Sequence, residues 1–163
     1  MTLHFISGPQ GAGKSTYALQ LVQARHGLYF SIDAWMQALY GADLPQPLDP
    51  AWIMVRVQRC ENLIWSLARH HVQLGGTAVL DLGLQKQADR LHFQQLADAS
   101  GLPVQWHFVD APLATRRQRV MARNTGHSET FAFVVTAPMF DYMEKQFERP
   151  TADELAHAIR IAN

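Results

Sequence analysis

Nine consecutive residues carry the strongest chemical signal in the chain: Gly8, Pro9, Gln10, Gly11, Ala12, Gly13, Lys14, Ser15 and Thr16 fit the phosphate-loop pattern G-x-x-x-x-G-K-[ST]. Gly8 and Gly13 let the backbone turn without a Cβ in the way. Successive N–H groups then converge on one anion, and the N-terminus of a following helix adds its partial positive charge. Lys14 is placed to reach the β- and γ-phosphates of a nucleotide, Ser15 to offer a hydroxyl to Mg²⁺, and Thr16 to add a further hydroxyl for phosphate. A dinucleotide fingerprint is excluded, because Gly11-x-Gly13 is followed by Thr16 where that motif needs glycine or alanine.

Two aspartates are expected at strand ends. Leu28 to Ile32 reads as a strand running into Asp33, and Thr77 to Leu80 as an apolar strand closing on Asp81. In an open α/β sheet the carboxyl edge carries the ligand crevice, so both should share a rim with the phosphate loop. Asp33 suits a general base that takes a proton from a substrate hydroxyl. It also suits an N-cap for the helix from Ala34 to Tyr40. Asp81 suits a Mg²⁺-holding carboxylate opposite Ser15, or a cap for the turn Leu82-Gly83-Leu84.

A third group is cationic. Arg116, Arg119 and Arg123 follow one another at steps of three and four, which places them along one helix face with Arg117 displaced. Such a face suits contact with nucleotide phosphates; the alternative is a solvated basic surface. The polar loop from Thr125 to Thr130 beside them suits the moving part of a lid, expected over about 117–135.

These groups need elements to hold them. Leu3, Phe5 and Ile6 supply a buried strand before the loop, and Ala18, Leu19, Leu21 and Val22 a helix after it, ending at Gly27. Asp49-Pro50 opens a long helix whose predicted inner stripe is Ile53, Val57, Cys60, Ile64, Leu67 and His71, with Arg56 outward, ending at Gly75-Gly76. Gln87 to Ser100 is a further helix with Leu91, Phe93, Leu96 and Ala97 inward and Arg90 on the polar side. Pro103 to Val109 is a strand, and Ala111-Pro112 starts the arginine-bearing helix. Thr136 caps a helix that Pro150 stops, Thr151 and Glu154 have capping-box spacing, and Ala156 to Ile161 offers a last strand.

Composition sets the bounds. A chain of 163 residues with 48% hydrophobic content suits one domain, 1–163, with a single core. Lys plus Arg equals Asp plus Glu at 14 each, so no overall positive field draws in nucleic acid, which is not expected as a partner. Cys60 is the single cysteine and is read as a small core residue. No apolar run approaches the ~20 residues that span a bilayer. A cytoplasmic protein, monomeric or weakly dimeric, is expected.

The phosphate loop, Ser31-Ile32-Asp33, Val79-Leu80-Asp81-Leu82-Gly83, Val109-Asp110-Ala111-Pro112 with Arg119 and Arg123-Asn124, and Phe147 to Glu154 together resemble one group of small P-loop kinases. The group includes zeta toxins, chloramphenicol phosphotransferase and the kinase domain of polynucleotide kinase, with uncharacterised members labelled AAA-type ATP-binding proteins. The resemblance implies an α/β, three-layer P-loop NTPase fold: a five-stranded parallel sheet with the third strand between first and second, helices on both faces and a short lid. It implies ATP and Mg²⁺ as cofactors, Asp33 as the substrate-activating aspartate, Asp81 as the strand-three carboxylate, and Arg119 and Arg123 as lid arginines on ATP. Some relatives with phosphorylated substrates carry arginine where this chain has Met36, and many have arginine in place of Gln87 while sharing Arg90.

The resulting expectation is ATP-dependent phosphoryl transfer, with Lys14, Asp33, Arg119 and Arg123 catalytic, to a hydroxyl of a small-molecule acceptor. The alternatives are a kinase of nucleic-acid ends or of a nucleotide sugar, and a switch that binds and slowly hydrolyses ATP.

Overall fold

The structure is a computed structural model that describes residues 1–124 and 135–163. Strands β1 (Thr2–Ser7), β2 (Leu28–Ser31), β3 (Thr77–Asp81), β4 (Val104–Asp110) and β5 (Ala158–Ala162) join in the order β2-β3-β1-β4-β5, each neighbouring pair parallel. Helices α1 (Lys14–Arg25), α2 (Ile32–Tyr40), α3 (Pro50–Gln73), α4 (Gln87–Ala99), α5 (Leu113–Arg123), α6 (Ala137–Gln146) and α7 (Ala152–Ala156) make the connections. This is the P-loop NTPase α/β arrangement that the resemblance implies, with β3 between β1 and β2.

Strand alternation divides the core between two faces. Leu3 and Phe5 of β1 and Ala78 and Leu80 of β3 pack with Cys60 and Ile64 of α3 and Phe93 and Ala97 of α4. Ile6, Val79 and Val109 point the other way and pack with Ala18 of α1. Asp81 stands two residues beyond Val79, so the same alternation turns it toward the α1 face. That parity decides the site.

Several local expectations shift. The second strand stops at Ser31, whose hydroxyl accepts from the Ala34 amide at 3.2 Å and caps α2, so Ile32 is already helical and Asp33 is not the cap. A serine hydroxyl with its backbone in the β region fulfils the capping role two residues earlier. In α3, capped by Asp49 as expected, the buried line runs Cys60, Ile64, Ala68, Val72, while Leu67 is exposed. A run of four-residue steps places small Ala68 against the sheet in place of Leu67. Arg56 does not point into solvent; its guanidinium lies 3.5 Å from the centre of the Trp52 ring. Cys60 is buried, as expected, beside the Met36 sulfur at 4.0 Å.

Arg90 is the largest reversal. It is 3% exposed, and its guanidinium donates to both Glu154 carboxylate oxygens at 2.6 and 3.3 Å and to the carbonyls of Leu84 and Glu148. Leu91, expected inward, is exposed. Helical periodicity located the stripe but could not show that a carboxylate 64 residues away would compensate a buried cation. Breaking such a pair from one side typically costs on the order of 3 kcal/mol. Thr151 and Glu154 form the expected capping box, which creates α7 and delays the last strand to Ala158.

Candidate active site

The loop from Gly8 to Gly13 leaves the carboxyl end of β1 and delivers Lys14 and Ser15 at the first turn of α1. Its glycines answer to close neighbours. A Cβ on Gly8 would stand 2.0 Å from the Val109 carbonyl oxygen, and one on Gly11, whose φ is +80°, would stand 2.6 Å from the Arg116 carbonyl oxygen. Pro9 and Ala12 are buried beneath the loop, Gln10 and Gly13 half-buried, and Thr16 faces solvent.

Ser15 and Asp81 meet directly. The Ser15 hydroxyl donates to Oδ2 of Asp81 at 2.8 Å, and the Tyr29 hydroxyl donates to the same oxygen at 3.3 Å. Burial and then the Asp81 charge push the Tyr29 phenol up to about 12, so it stays a donor. Asp81 is 6% exposed, and the side chains that reach its Oδ2 come from α1 and β2.

Lys14 and Asp33 complete the rim. Burial lowers the Lys14 ammonium, and the Asp81 and Asp33 carboxylates oppose that shift. Enclosure by the surrounding rim and then the Asp81 charge raise the Asp33 carboxyl above its ordinary range, while Lys14 and Arg123 pull it down. Its own side chain remains open to solvent, so the upward direction reflects a carboxylate at the mouth of the cleft and not one sealed in the core. The register pairing Ser31 with Asp81 brings the start of α2, and with it Asp33, to the end of β3.

The arginine helix splits in two. Arg119 and Arg123 are exposed, Arg119 donating to the Gly11 carbonyl at 3.5 Å and Arg123 acting electrostatically on both Lys14 and Asp33. Arg116, expected on the same face, is instead 1% exposed and paired bidentately with Glu144 of α6 at 2.6 and 2.7 Å. Arg117 pairs with Asp141 of α6 at 2.9 Å. The acidic partners that α5 lacks in sequence arrive from α6. The loop Thr125 to Thr130 lies outside the described residues; at the edges of that segment the Asn124 side chain bonds both backbone groups of Val135.

The oxygen donors fit a Mg²⁺ ion. A serine hydroxyl and a buried carboxylate in contact supply hard ligands, and Mg²⁺ keeps several waters, so it needs no all-protein cage. Among the described residues there is no cluster of three or more His, Cys, Asp or Glu side chains that would form one.

A family model described as an AAA domain matches residues 3–150. The chain belongs to that family. No curated protein matches this AAA domain in sequence. Solved structures match it in fold. They include a sugar kinase from Janibacter sp. HTCC2649 (16% identity, TM-score 0.63, covering 100% of this chain and 84% of that one). Kti12 of Chaetomium thermophilum in complex with ADP-AlF3 aligns at 16% identity and TM-score 0.69 over 99% of this chain and 88% of its own. A gluconokinase from Sinorhizobium meliloti 1021 aligns at 13% identity and TM-score 0.59 over 99% and 82%. At these identities the likeness shows the fold of the AAA domain and leaves its chemistry to the side chains. Among the described residues no helix is long and apolar enough to cross a membrane.

Tyr29 and Asn163 escaped the reading of the sequence. Tyr29 lies in β2, paired with Val79, on the side that Asp81 shares, a relation visible only once strand register is known. Asn163 carries no motif at all, yet its carboxamide donates to the Ala12 carbonyl at 2.9 Å.

Proposed function

We propose that this AAA domain is a phosphotransferase that moves the γ-phosphate of ATP to a hydroxyl of a small molecule, and that it is of the zeta toxin and chloramphenicol phosphotransferase type. The observation that carries the reading is the convergence of Lys14, the Ser15–Asp81 pair and Asp33 on one rim, with Arg123 near enough to influence Lys14 and Asp33 electrostatically. A second, solvent-open carboxylate stands in front of the loop and calls for a use of its own. A kinase has one, because the acceptor hydroxyl must lose its proton as it attacks.

In this reading Gly8 to Thr16 hold the phosphates, with Lys14 on the β- and γ-phosphates. Ser15 and Asp81 hold Mg²⁺, which when bound neutralises charge on the β- and γ-phosphate oxygens. Asp33 receives the acceptor proton. Arg119 and Arg123, from the expected lid, compensate charge on the transferred group. The names sugar kinase and gluconokinase among structures of like fold support a small hydroxylated acceptor, and the ADP-AlF3 held by Kti12 supports a nucleotide in the loop.

Met36 is 3% exposed and packs in the core, so its identity leaves the acceptor pocket without a cation at that position. Screening phosphoryl transfer from ATP across polyols, sugars and other hydroxyl compounds, with single-stranded oligonucleotides and nucleotide sugars included, tests the proposal. A phosphorylated small molecule is expected. ATP hydrolysis with every acceptor unmodified would make the protein a switch, and a labelled oligonucleotide end would make it a nucleic-acid kinase.

A further inference from the structure

Four consecutive carbonyl groups of the phosphate loop are each held by a side-chain donor. Lys14 Nζ donates to Pro9 O at 3.2 Å, Arg116 Nη1 to Gln10 O at 3.3 Å, Arg119 Nη1 to Gly11 O at 3.5 Å, and Asn163 Nδ2 to Ala12 O at 2.9 Å. A trans peptide is planar, with its N–H opposed to its C=O. Fixing the Gln10 carbonyl therefore fixes the Gly11 N–H on the opposite side, and fixing the Ala12 carbonyl does the same for the Gly13 N–H. These are the donors that the loop motif turns toward phosphate. A donor on the carbonyl also polarises the peptide unit and strengthens its N–H.

Two of the four donors are themselves anchored to the end of β4. Arg116 also donates through Nε to the Ala111 carbonyl at 2.9 Å and is locked by Glu144. The Asn163 backbone N–H donates to the Asp110 carbonyl at 2.9 Å, continuing the β4–β5 ladder. Arg149 binds the Asp110 carboxylate at 2.8 Å. The loop is thus gripped from behind by groups whose positions the sheet and α6 determine.

We infer that Arg116 and Asn163 are positioning residues for the phosphate loop: they hold the Gln10–Gly11 and Ala12–Gly13 peptide planes with their N–H groups presented to the polyphosphate of a nucleoside triphosphate. The inference rests on the nucleotide reading of the loop for its functional consequence, and on geometry alone for the clamp. Neither residue needs to touch the nucleotide. Pre-ordered donors spare the ligand the cost of ordering them.

The test uses the whole chain with Asn163→Ala, Asn163→Gln and Arg116→Lys. Asn163 is exposed, so its substitution does not threaten the core. Three measurements are made: thermal unfolding, ATP affinity by calorimetry, and amide hydrogen exchange at Gly11, Ala12 and Gly13 in the protein without ligand. Asn163→Ala should unfold as the wild type does, bind ATP about fivefold more weakly, the equivalent of one hydrogen bond, and exchange the Gly13 amide faster. Asn163→Gln, which keeps the amide donor, should recover most of both. Arg116→Lys, which keeps charge but loses the fork, should weaken ATP binding and loosen the Gly11 amide. Unchanged exchange in Asn163→Ala overturns the inference, and so does an Asn163→Gln variant as impaired as the alanine. If Arg116→Lys fails to fold, the Asn163 pair decides. A wild type that binds no ATP would defeat the nucleotide reading, while the exchange data would still decide the clamp.

Discussion

The Ser15 hydroxyl donates to Oδ2 of Asp81 at 2.8 Å, joining the first turn of α1 to the last residue of β3. Both oxygens are hard ligands, and a Mg²⁺ ion bridging to a polyphosphate would draw on them together. Ser15→Ala and Asp81→Asn should each raise the Mg²⁺ concentration for half-maximal ATP turnover about tenfold or more. A metal titration at saturating ATP measures it. Unchanged half-saturation in both variants would leave the pair a structural hydrogen bond.

Lys14→Ala should weaken ATP binding while leaving the fold intact, because the lysine stands at a helix start and not in the core. Its ammonium faces two carboxylates that offset the effect of its burial, and removing it takes away a cation that balances Asp33 and Asp81 beside the phosphates. Calorimetry with ATP reads the loss directly. Equal affinity in variant and wild type counts against the loop assignment.

Arg119→Ala or Arg123→Ala should lower turnover far more than ATP affinity, since these cations would compensate charge that shifts toward the leaving oxygen only as the bond breaks in the transition state. Both side chains are exposed, in contrast to Arg116, so loss of stability should not obscure the result. Comparing kcat with the ATP dissociation constant separates the two effects. Rates equal to wild type in both variants would return these arginines to a solvated surface.

Asp33→Asn should suppress transfer to the acceptor by ~10²- to 10⁴-fold while sparing ATP binding, the range expected for a lost general base. Because the Asp33 carboxyl is raised, the acid limb of kcat/KM should lie above the ordinary aspartate range and vanish in the variant. Single-turnover transfer from ATP to the acceptor found by screening supplies the rate. A loss below about tenfold would sink the proton-accepting role, and the helix cap cannot then be invoked, since Ser31 already holds it.

A pH effect on stability arises away from the rim. His107 is 1% exposed on β4, its ring nitrogens 2.9 Å from His4 Nδ1 and 2.9 Å from the Tyr17 hydroxyl. Burial, then His4 and Arg25, push its imidazole down to about 4. Between about 4 and the unfolded value of 6.5 the unfolded chain binds more protons than the folded one, so stability falls as pH drops through that window. The loss is on the order of 3 kcal/mol at most. Urea midpoints for wild type and His107→Gln at pH 7 and pH 5 should show a smaller drop in the variant. Equal drops would refute the assignment to His107.

Local chemistry made much of this protein legible without coordinates. Lys14, Ser15, Asp33 and Asp81 stand out as candidates because each lies where a strand or helix pattern changes, and Arg119 and Arg123 because they share one helix face, patterns written in neighbouring residues. The Asp49 cap, the Thr151–Glu154 capping box and the strand closing on Asp81 depend on a few adjacent positions, and they formed as expected. Burial of charge was another matter. Arg90 and Arg116 look like surface cations until Glu154 and Glu144 approach from elements far along the chain, and nothing in a helix's own sequence announces a distant counter-charge. The tyrosine on Asp81 and the asparagine on the Ala12 carbonyl likewise depend on strand register and on where β5 ends beside the loop. Short-range spacing determined which residues are candidates for the chemistry; only the sheet, by fixing register and bringing remote chain segments within hydrogen-bond reach, decided which of them meet and which are buried as struts.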